Sequence, residues 1–65
     1  MLRSAREEKE IGQMARALIS QFGDEAEVIA AGHADTMLDT GDVAAFETWK
    51  AVMVAIRGFR SAKAG

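Results

Sequence analysis

Apolar residues recur along this chain at every third or fourth position, and few stretches alternate with the period of two that a strand needs. Ile11, Met14, Ala15, Leu18 and Phe22, with Ile19 beside them, make one stripe at helical spacing. Ser4 stands three residues before Glu7, the spacing of a capping box, so a first helix is predicted over about 5–22. Gly23 is placed as a left-handed stop, and Asp24, with Glu27 three residues on, as a new start. The second helix then spans about 24–40, with Ala26, Ile29, Ala30, His33, Met37 and Leu38 facing inward and Ala34 alongside. Gly41 and Asp42 repeat the stop and the start, and a third helix follows over about 43–60.

That third helix is the most apolar. Phe46, Trp49, Val52, Met53, Ile56 and Phe59 form a broad stripe, while Ala44, Thr48, Ala51, Ala55, Gly58 and Ala62 form a column of small residues. Small residues let helix backbones approach, so the column is expected to be a packing seam. Turns of one to three residues make neighbouring helices antiparallel. The prediction is an all-α fold, a compact three-helix up-down-up bundle formed by one domain over 1–65, frayed at 1–4 and 61–65. Its expected core sets Met14, Leu18 and Phe22 against Ile29, His33 and Met37, and these against Phe46, Trp49, Met53 and Ile56, with Trp49 as the anchor.

Composition narrows the means of stabilisation. A chain of 65 residues buries only about 60% of the surface its unfolded form exposes. With no cysteine there is no disulfide, and the lack of proline with many alanines favours helix over strand. Met1 to Glu10 mixes acids and bases and lacks the apolar segment of a signal peptide. The longest apolar run, Ala51 to Ile56, is far short of the ~20 residues that span a bilayer. A cytoplasmic location is expected.

The net charge is −2, unevenly spread. Residues 20–49 hold seven acids and no Lys or Arg, whereas 50–65 hold Lys50, Arg57, Arg60 and Lys63 and no acid. Acids near helix starts and bases near helix ends suit the helix macrodipole. The same four bases are the candidate basic surface for nucleic acid or an anionic membrane. A helix-turn-helix reader is not expected, because its recognition helix would begin at Asp42 and Glu47, facing phosphates with acids.

Catalytic candidates are few. His33 is the sole histidine, read as a boundary residue bonded to a backbone carbonyl or a neighbouring acid. None of Ser4, Ser20, Thr36, Thr40, Thr48 or Ser61 lies in a nucleophile motif. Asp35, Asp39 and Asp42 cluster near the second turn and are the one metal candidate, without EF-hand spacing. In the competing reading Asp42 is a cap, Asp35 pairs with a base on another helix and Asp39 is solvated. No catalytic residue, metal or cofactor is predicted.

The pattern Ala15-x-x-Leu18-Ile19-x-x-x-Gly23-x-x-Ala26, then Ala30, Ala34-Asp35, Leu38-x-x-Gly41-Asp42 and Trp49-Lys50, resembles a group of short uncharacterised bacterial proteins. The likeness covers about residues 11–57 and implies a helical fold in a bacterial, cytoplasmic setting, with no catalytic residues to carry over. Members of that group often have Arg at the position of His33 and His at that of Phe22. The Leu38-x-x-Gly41-Asp42 step also resembles half of a tetratricopeptide repeat, but no 34-residue period fits in this length.

Apolar surface is in excess. Val43, Val54 and the Ala44–Ala62 column cannot all face one small core, and surplus apolar surface on a small protein marks an interface. Ala44, Ala51, Val54, Ala55 and Gly58 are the interface candidates. The expected function is a non-catalytic protein–protein interaction module whose partner is a second copy, as a homodimer, or another protein. The alternative is a small regulator touching nucleic acid or anionic membrane through its basic C-terminal helix.

Overall fold

Three helices account for nearly all of residues 5–64, which are those described by the structure, a computed structural model. Helix α1 spans Ala5–Phe22, α2 spans Ala26–Thr40 and α3 spans Val43–Ala64, with a 3-10 turn over Gly23–Glu25. The capping box expected at Ser4 and the fraying expected at 1–4 lie outside the described residues. The fold is the all-α, up-down-up bundle that the periodicity predicts.

The α2–α3 corner forms as its residues dictate. Gly41 takes the left-handed conformation at φ 82°, and its N–H donates to the Leu38 carbonyl at 3.1 Å. The Asp42 N–H donates to the Met37 carbonyl at 2.9 Å. This pair of bonds is a Schellman ending, and it satisfies carbonyls that α2 would otherwise leave bare. Asp42 then caps α3, its Oδ1 accepting the Ala45 N–H at 3.0 Å. One residue thus closes one helix and opens the next.

The first corner departs from expectation. Gly23 is left-handed at φ 56°, but Asp24 does not cap α2. The chain curls directly into the 3-10 turn, and α2 starts at Ala26 rather than at 24, behind Glu25 with no side-chain cap. An N-cap needs extended backbone, whereas Glu25 sits at φ −90°, ψ −1°. The far end of α3 also differs: it continues to Ala64 instead of fraying beyond Arg60. Residues 61–64 are Ser, Ala, Lys and Ala, which carry no stop signal before Gly65.

Contacts between helices set their register. Glu27, early in α2, reaches Arg57 late in α3, while His33 meets Trp49 nearer the corner. Glu8 and Ile11 lie beside Glu47 and Ala51, and Arg16 and Ile19 beside Phe59. Helices α1 and α3 are therefore parallel to each other and antiparallel to α2. The bundle measures 36 × 25 × 17 Å.

The core is smaller-residued than predicted. Its buried cluster comprises Ile11, Ala15, Ala26, Ala30, Val52 and Ile56, with Ala34 buried as well. Val52 and Ile56 are its largest fully buried side chains. Met14, Leu18, Trp49, Met53 and Phe59 pack around this cluster, half-buried. Phe22 is 40% exposed and Leu38 54%, and His33 is exposed. Trp49 is thus a wall of the core rather than its centre. The stripe on α3 is wider than the space between its two neighbours, so only its middle line, Val52 and Ile56, is covered from both sides.

Replacing Ile56 by Ala is expected to cost about 2–5 kcal/mol, the range for a buried aliphatic truncated in place. Trp49→Ala should cost less than Ile56→Ala. Urea denaturation checks the order, and a lower midpoint for Trp49→Ala would put the core on the wrong side of α3.

Candidate interaction surface

Helix α1 lies along the small-residue column of α3. Ala51 and Ala55 are half-buried and pack against the core cluster, so the middle of the column is a seam within the chain. Ala44, Val54 and Gly58, the other interface candidates, are exposed. A methyl group added at Gly58 would meet nothing within 4 Å, so this glycine serves no close approach inside the bundle. Val54 is 65% exposed, and Val28 and Val43 are 71% and 62% exposed. An open groove of about 340 Å³ runs between α1 and α3, with Ile11 and Ala55 on its floor and Glu47, Lys50 and Val54 among its walls.

The basic candidates are mostly engaged. Arg57 donates from Nε to Glu27 Oε2 at 2.6 Å. Arg60 lies 3.9 Å from carboxylate oxygens of both Asp24 and Glu27. The ammonium of Lys50 stands 5.3 Å from the ring centre of Phe46, one turn back. Lys63 is in the last turn of α3, beyond the side chains that are described. The acid-rich middle and base-rich end of the sequence therefore meet within one chain. In an antiparallel α2–α3 pair the start of one helix lies beside the end of the other, which is where macrodipole preference puts opposite charges.

The acidic candidates do not converge. Among the described residues, no three His, Cys, Asp or Glu side chains are grouped so as to hold a metal ion. Asp42 is committed to its cap, while Asp35 and Asp39 are exposed on α2. The ion pairs to α3 come from Asp24 and Glu27, not from Asp35.

His33 has a different partner from the carbonyl or acid expected. Its ring stacks on Trp49 with centroids 4.4 Å apart and planes 17° from parallel. Ala26, Ala30 and Ala34 occupy the centre line of α2, which leaves His33 exposed on the flank, against the indole. A second cation–aromatic contact puts the Arg16 guanidinium 5.3 Å from the Phe59 ring centre, along another open groove of about 500 Å³. Neither ring contact was readable from spacing, because both join different helices and depend on register.

Among the described residues no helix is long and apolar enough to cross a membrane. Comparison with family models, curated proteins and solved structures finds no match.

Stacked aromatic pairs contribute about 0.5–1.5 kcal/mol. His33→Ala should fall at the lower end, because the imidazole is exposed, and should red-shift the Trp49 emission. Unchanged emission would mean that the stack does not cover the indole in solution. A double-mutant cycle of Glu27→Gln with Arg57→Gln is expected to give a coupling of about 0.2–1 kcal/mol, as for other exposed pairs, and to shrink with added salt.

Proposed function

We propose that this protein is a non-catalytic helical module that works by binding protein, with the outward surface of the α2–α3 hairpin as its docking face. The observation that carries this reading is the exposure of Val28, Val43 and Val54, each above 60%, in a domain whose buried core is four alanines with Ile11, Val52 and Ile56. Burying such side chains contributes about 1.5–3 kcal/mol each, and the bundle itself leaves that free energy unused. Two of the three lie on one face of α3, where a single partner can cover both.

The alternative, a contact with nucleic acid or anionic membrane through the end of α3, draws less support. Phosphates are attracted by uncompensated positive charge, and Arg57 and Arg60 already face Glu27 and Asp24. Their charge is largely balanced before any phosphate arrives.

Light scattering of the purified chain, together with affinity recovery from cell extract, tests the proposal. Self-association or specific recovery of a protein partner is expected, and Val54→Asp should reduce it at least tenfold without changing the helical circular dichroism. A strict monomer at high micromolar concentration that also recovers no protein would overturn the reading. Binding to DNA or anionic vesicles that Arg57→Ala and Arg60→Ala abolish would favour the alternative instead.

A further inference from the structure

The outer face of α3 carries an ordered strip rather than a scatter of polar groups. Val43, Glu47, Lys50, Val54, Arg57 and Ser61 follow one another at steps of four, three, four, three and four, and all six are exposed. This is the spacing of a coiled-coil seam, which keeps one line of side chains toward a straight partner helix. An ordinary solvated helix face has no need to keep two valines on such a line.

The strip is complementary to itself when reversed. If a second α3 lies antiparallel with the two-fold axis midway between Lys50 and Val54, residues whose numbers sum to 104 face each other (47 + 57, 50 + 54, 43 + 61). Glu47 then faces Arg57 of the other copy, and the symmetry makes this pair twice. Val54 faces the aliphatic stem of Lys50, which can cover it while the ammonium stays in water. Val43 faces Ser61. A parallel pair would instead set Glu47 against Glu47 and Arg57 against Arg57, which is repulsive.

Arg57 already faces Glu27, but the outer edge of its guanidinium keeps donors that a carboxylate can use. Glu47 makes no ion pair with any described residue, although Lys50 is only one turn away. Arg57 uses Nε for Glu27, and its two Nη groups can still donate. Its side chain is 61% exposed, so a carboxylate can reach it from outside.

We propose that the partner bound at this face is a second copy of the chain, docked through an antiparallel α3–α3 contact with reciprocal Glu47–Arg57 pairs. This rests on the interaction-module reading and specifies its partner. An isologous contact of this kind closes on itself as a dimer and leaves no surface for further growth.

Two charge variants test the register. Glu47→Arg sets base against base at both copies of the 47/57 pair and Arg57→Glu sets acid against acid there, so each alone should associate at least tenfold more weakly than the parent in sedimentation equilibrium. An equimolar mixture should recover the dimer, because both cross pairs are then opposite in sign. Cysteine pairing tests the same geometry without charge change, and it stands if Arg57→Glu fails to fold. The chain has no native cysteine; Lys50→Cys mixed with Val54→Cys should form a disulfide-linked heterodimer faster than either variant links alone. Fastest linkage of Val54→Cys to itself would indicate a parallel pair and overturn the proposal. A parent dimer indifferent to both charge variants would overturn this pairing and leave the interaction module standing. A monomeric parent that captures a different protein does the same, whereas a monomer that captures none overturns both.

Discussion

Three helices can share a core this small because α2 presents alanine to both neighbours. Ala26, Ala30 and Ala34 line its inner face one turn apart, and Ala15 of α1 joins the first two in one buried cluster. Their methyl groups let the helix axes close on Val52 and Ile56, which fill the space that remains. A larger residue at Ala30 would force the helices apart, and overpacking of that sort costs about 1–3 kcal/mol. The other features follow from this approach. Trp49 and Met53 are held at the edge, and the long polar side chains Glu27 and Arg57 meet across a narrow gap.

The same close approach explains the surplus apolar surface. A core built on alanine uses little side-chain volume, so the chain's larger residues are not all drawn inward. Val28, Val43 and Val54 remain outside, and Phe22 and Leu38 are only partly covered. For a chain of this length the hydrophobic contribution is modest at best, and association through the outward faces adds burial that the monomer lacks. The interaction reading and the shape of the core thus share one cause.

Charge adds direction to the packing. Asp24 and Glu27 begin α2 where Arg57 and Arg60 end α3. Exposed pairs contribute little stability each, but they favour the antiparallel register over slipped ones. They also occupy the groups that would otherwise form a basic surface. Glu47 and Lys50, nearer the middle of α3, form no ion pair with α2 among the described residues, which distinguishes the centre of the strip from its end.

The local features were legible in the sequence because their causes are local. Gly23 and Gly41 take left-handed conformations that favour glycine, Asp42 caps as its position requires, and the α1 stripe containing Ile11 and Ala15 is the face that is buried. Helices α2 and α3 are apolar over much of their circumference, so periodicity alone could not choose which line faces the core. Tertiary packing decided that. It put Ala30 and Ala34 at the centre of α2 and His33 at its flank, and it put Val52 and Ile56 ahead of Trp49. The pattern places Ala26 and Ala30 inward, but not as the centre of the core, because what alanine contributes is proximity, and proximity exists only between elements. The ion pairs and the His33–Trp49 stack are likewise properties of register, settled when three helices close on one another.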